Sequence, residues 1–103
     1  MGMSWEGFVI DNLLTQIPDN AEVYFYRTAR GAELDLLIIL PDQKRIAIEI
    51  KAGSAPKLSR GFYESCNDLC PDCAYVIYSG NEKYPMGQNI YAIGLEEMLR
   101  IRF

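Results

Sequence analysis

From residue 5 onward the apolar side chains Trp5, Phe8, Val9, Leu13 and Ile17 recur every three or four positions, with Asp11, Asn12, Thr15 and Gln16 opposite them. That spacing predicts a helix burying one face. Ser4 stands where an N-cap belongs, and Pro18-Asp19-Asn20 ends the helix. The period then changes. Glu22 to Thr28, rich in Val, Tyr and Phe, reads as a strand, and Arg30-Gly31 as a turn. Glu33 to Leu40 reads as a second strand, apolar on both faces beyond Asp35 and therefore interior. After a tight turn at Pro41 to Lys44, Arg45 to Lys51 alternates strictly. Ile46, Ile48 and Ile50 face one way, and Arg45, Ala47, Glu49 and Lys51 the other.

Ala52 to Pro56 is a loop. Leu58, Phe62, Cys66 and Leu69 form a second helical stripe, closed by Pro71. Ala74 to Ser79 reads as a strand, Asn81 to Gln88 as a polar loop, Asn89 to Ile93 as a short strand, and Leu95 to Leu99 as a last helical turn or two. The predicted order is αβββαββα.

With 103 residues, half of them apolar and 23% charged, the chain reads as one globular domain over 1–103. No apolar run approaches the ~18 residues of a membrane helix. Met1 to Ile10 lacks the basic start of a signal peptide. A cytoplasmic protein without membrane contact is the expectation.

The net charge of −4 argues against a free-standing nucleic-acid binder. The charge is uneven, however: residues 1–26 carry four acids and no base, whereas 27–60 carry seven bases against four acids. No histidine is present, so chemistry must come from carboxylates, Lys, Tyr or Cys. Cys66, Cys70 and Cys73 leave a structural zinc site one ligand short, so buried or partly exposed thiols are expected.

The chemistry gathers on the hairpin of the second and third strands. Pairing about its turn brings Asp35 beside Glu49 as a cross-strand neighbour, and Lys51 shares the face of Glu49. Two adjacent carboxylates repel unless a cation or proton lies between them. Their hard oxygens suit Mg²⁺ or Mn²⁺, with the Ile50 carbonyl as a further ligand. The plainer alternative is a solvated strand face with a Glu–Lys contact, against which stands the apolar run around Asp35. Glu6 lies at the edge of the first helical stripe. Two roles are open to it: a third ligand or water-positioning carboxylate, or a surface Glu favoured by the helix dipole. Pro41-Asp42 also spells a PD ahead of Glu49-Ile50-Lys51. At ~3.3 Å per residue, Asp42 is about 23 Å along the strand from Glu49, too far to share a metal.

Glu6, Asp35 and Glu49-Ile50-Lys51 resemble the PD-(D/E)XK nuclease superfamily. More closely, three strings look like the C-terminal domain of prokaryotic AAA-type ATPases: Ser4-Trp5-Glu6-Gly7-Phe8-Val9, then Tyr26-Arg27-Thr28 with Gly31-Ala32-Glu33-Leu34-Asp35, then Ala47-Ile48-Glu49-Ile50-Lys51.

The resemblance implies a restriction-endonuclease-like αβββαβ core on a mixed central sheet, here with an extra strand and a short C-terminal helix. It implies a Mg²⁺- or Mn²⁺-dependent nuclease hydrolysing DNA phosphodiesters, with Asp35 and Glu49 on the metal and Lys51 and Glu6 catalytic. Arg27, Arg30 and Lys57 of the basic segment are candidate phosphate contacts. No Walker A loop is present, so ATPase activity is not implied. The chain then reads as the C-terminal portion of a longer ATPase or a stand-alone remnant. The competing expectation is a catalytically silent docking or substrate-recognition module for an ATPase in cis or trans, with Trp5 exposed at the interface.

Overall fold

The computed structural model describes residues 4–27 and 33–102, and the side chains of Arg27 and Glu33 lie outside that description. Helix α1 spans Trp5–Gln16, and Ser4 caps it by accepting the Gly7 N–H on Oγ at 3.0 Å. Strands β1 (Glu22–Arg27), β2 (Glu33–Ile39) and β3 (Arg45–Ile50) follow, then α2 (Arg60–Leu69), β4 (Cys73–Tyr78), β5 (Tyr84–Gly87), β6 (Ile90–Gly94) and α3 (Leu95–Leu99).

The six strands form one sheet in the order β1-β2-β3-β4-β6-β5. The pairs β1–β2, β2–β3 and β5–β6 are antiparallel, and β3–β4 and β4–β6 are parallel. The mixed sheet is thus as expected, with one correction. A strand, β5, lies inside the stretch expected to be a polar loop, so two strands follow β4. Its four residues include Pro85, and it forms an outer edge of the sheet, the position where a strand tolerates a residue without an N–H.

Helices α1 and α3 cover one face. Val9, Leu13, Ile17 and Met98 pack there against Leu36, Ile38, Ile46, Ile48, Ile50, Ile77 and Ile93. Helix α2 covers the other, where Phe62 meets Leu34, Leu37, Ala47, Ala74 and Val76. The strict alternation of β3 divides as read: its three isoleucines face α1, and Ala47 faces α2. Because both faces are covered, Ile46 to Ile50 are all buried. The α2 stripe also holds, with Leu58, Cys66 and Leu69 packed around Phe62. The α1 stripe holds for Val9, Leu13 and Ile17 but not for Phe8, which is 44% exposed.

The β4 and β6 ends come together because Gly94 has no side chain. A Cβ there would lie 2.4 Å from the Gly80 carbonyl oxygen, inside any permissible contact.

Candidate functional site

The site is built on the C-terminal end of β3, where three neighbours hold the backbone. The Lys51 N–H donates to the Ile77 carbonyl of β4 at 2.9 Å. The preceding N–H, of Ile50, therefore points the opposite way, toward β2. It donates to Oδ2 of Asp35 at 2.7 Å, the short distance of a charge-assisted bond. On the far side of Lys51, the Trp5 indole Nε1–H of α1 donates to the Lys51 carbonyl at 3.0 Å.

Asp35 reaches Ile50 because β2 is irregular there. Tyr24 pairs with Leu37 and Tyr26 with Leu34, so Asp35 and Leu36 together stand opposite Phe25 alone. This bulge explains why Leu34 and Leu37, three residues apart, share the α2-side core, and bulges re-aim side chains. The β2–β3 register places Leu36 opposite Ile48 and is unbroken from there to Ile39 opposite Arg45. Continued by one residue, it sets Asp35 opposite Glu49, consistent with their expected standing as cross-strand neighbours. The ladder stops at Leu36, and the Asp35 carboxylate takes over the donor that the next backbone carbonyl would have met.

Glu49 is 5% exposed and is the one buried charged side chain among the described residues. Burying a carboxylate is costly unless it is paired. The Lys51 ammonium lies 3.8 Å from its Oε2, with 34% of the lysine side chain exposed. A solvated strand face therefore does not describe Glu49. Its charge is also felt across the α2 layer. The Cys66 thiol has its pKa raised, first by burial and second by the negative charge of Glu49.

The remaining expected residues fall out as follows. Glu6 is exposed in the first turn of α1, next to the residue that touches Lys51. Arg30 lies outside the described residues, as does the Arg27 side chain, although the Arg27 backbone ends β1. Lys57 is exposed in the segment before α2. Asp42 sits in the β2–β3 turn with its carboxylate on the Lys44 N–H at 3.1 Å, away from the site as distance along the strand required. Cys66, Cys70 and Cys73 are free thiols. No group of three or more Cys, Asp or Glu able to hold a metal occurs among the described residues.

One correction concerns Trp5. Expected exposed at an interface, it is partly buried with its donor spent on Lys51. The sequence marked Trp5 as part of the α1 stripe, of the Ser4-to-Val9 string and of an expected interface. No local signal ties it to a carbonyl 46 residues away.

A family profile described as a domain of unknown function, DUF4143, matches residues 1–98. Uncharacterized proteins of Mycobacterium tuberculosis and Mycobacterium bovis are each 32% identical to the chain over 99 residues, which is 96% of this chain and 22% of theirs. The chain thus spans about a fifth of the length of these curated relatives. No solved structure matches it.

Proposed function

We propose, for a chain that belongs to the DUF4143 family, a PD-(D/E)XK-type nuclease centre that hydrolyses DNA phosphodiesters with Mg²⁺ or Mn²⁺. One observation carries the reading. Asp35 is seated at 2.7 Å on the Ile50 N–H, between the buried Glu49 and Lys51, at the end of an interior strand. The αβββαβ order of the first six elements agrees with such a core. So does the likeness of the Ser4-to-Val9 string to the nuclease-like domain that follows AAA-type ATPases.

The donor set suits a hard divalent ion. Mg²⁺ is commonly bound by one or two carboxylates, waters and substrate phosphates, not by an all-protein cage, so two carboxylates are enough. Asp35 spends Oδ2 on Ile50 and retains Oδ1 as a ligand. Glu49 supplies the second carboxylate. The Ile50 carbonyl, on the same side of β3 as its N–H, would be the third oxygen. When bound, the ion lowers the pKa of a ligated water and stabilises charge on the phosphate.

The protein's own groups do the rest. Glu49 keeps the Lys51 ammonium at the site. Lys51 orients the attacking water or offsets the negative charge that builds on the phosphoryl oxygens as water adds and the leaving oxygen departs. Glu6 positions water from the α1 side. Arg27, Arg30 and Lys57 would grip the flanking phosphates.

A second reading makes the domain a silent docking or recognition module of an ATPase. It is favoured by the relatives being about five times longer than the matched segment.

Calorimetry with Mn²⁺ separates the two readings. Saturable binding that is lost in Asp35→Asn, and plasmid nicking abolished by Glu49→Gln and Lys51→Ala, are the expected results. No binding at millimolar metal hands the site to the docking reading.

A further inference from the structure

We propose that Trp5 is a positioning residue for Lys51. Only the consequence for cleavage rests on the nuclease reading above.

Lys51 is not part of β3, which ends at Ile50. It is the first residue of a segment whose next four residues are all exposed. A lysine side chain is long and flexible, so its ammonium stays near Glu49 only while the backbone that aims it is fixed. On the N-terminal side that backbone is held twice, by Asp35 on the Ile50 N–H and by Ile77 on the Lys51 N–H. On the C-terminal side the peptide leaving Lys51 is held by the Trp5 indole at 3.0 Å. Among the described residues, the next backbone tie along this segment is two residues further on, where the Gly53 carbonyl accepts the Ser79 N–H at 3.1 Å.

Trp5 is itself set by α1. It is the first helical residue after the Ser4 cap, and its ring lies 6.3 Å from that of Phe8. The helix thus fixes the peptide that leaves Lys51, just beyond the last residue of β3. Trp5 makes no contact with a reacting atom in this role and acts through Lys51.

The test begins without mutation. Trp5 is the sole tryptophan, so its Nε1–H resonance needs no assignment. Slow exchange with solvent is expected, and free exchange overturns the proposal. Trp5→Phe then removes the donor while keeping an aromatic ring against Phe8, and Trp5→Tyr serves if the first variant folds poorly.

Labelling with an amine-reactive ester, read by mass spectrometry, should show Lys51 reacting severalfold faster in the variant, with Lys44, Lys57 and Lys83 unchanged. Unchanged Lys51 labelling, or an equal rise at all four lysines, overturns positioning whether or not the protein cleaves DNA. If the wild type cleaves, kcat should fall about tenfold or more at constant KM, the scale of a misplaced catalytic group. If Lys51 labelling rises but the wild type cleaves nothing under Mn²⁺, positioning stands and the nuclease reading falls.

Discussion

Replacing Asp35 separates a structural duty from a chemical one. In Asp35→Ala the Ile50 N–H loses its acceptor at the end of a buried strand. An orphaned, partly buried donor costs about 1–3 kcal/mol, so Tm should fall by about 5–15 °C in a domain of this size. Asp35→Asn keeps an oxygen of the same reach on that N–H and loses only the charge assistance, roughly half the bond. Its cost should stay under about 1 kcal/mol, or about 5 °C in Tm.

Mn²⁺ binding should instead be lost in both variants, because alanine supplies no oxygen and an amide oxygen is a poorer ligand than a carboxylate. Thermal unfolding by circular dichroism and calorimetric titration of the same preparations give both numbers. An Asp35→Ala variant within 2 °C of wild type, a tolerance set at about half the smallest predicted effect, would refute the backbone role. Wild-type Mn²⁺ affinity in Asp35→Asn would refute the metal role. Equal large losses of stability in both variants would show that the charge itself, not the acceptor, holds the strand end.

Further outcomes follow from the same geometry. Glu49→Gln removes a buried charge, while Lys51, a third exposed, turns to water. Metal binding, followed by calorimetry with Mn²⁺, should fall in this variant. The same variant should make Cys66 titrate at lower pH, seen as faster alkylation, but only in part, because burial is the larger cause of its raised pKa. The folded Cys66 holds its proton more tightly than the unfolded chain. Its contribution to stability is thus lost as pH rises through the folded pKa, and Cys66→Ala should lessen the alkaline loss in a Tm–pH series. Gly94→Ala forces a methyl against the Gly80 carbonyl and should cost about 1–3 kcal/mol in chemical denaturation.

Much of this was legible in one dimension, for a physical reason. Alternation records which face of a strand is buried, and a three-to-four spacing records the buried face of a helix. The split of β3 between two cores, the Val9-Leu13-Ile17 stripe and the Phe62 stripe were therefore open to reading. A tight turn limits hairpin register to within one residue, so the neighbourhood of Asp35 and Glu49 followed from counting, while the exact Leu36–Ile48 pairing is a finding of the structure. Other features depend on neighbours that no local pattern names. Strand β5 is only four residues long, contains Pro85, lies within a stretch whose flanks are polar, and exists because β6 offers it an edge. The bulge that aims Asp35 at Ile50 arises from how β1 meets β2. Glu49 is buried because α2 covers a face whose polarity alone would have left it in water. The hydrogen bond from Trp5 to Lys51 joins residues 46 apart, a distance along the chain that only packing α1 against the sheet could close.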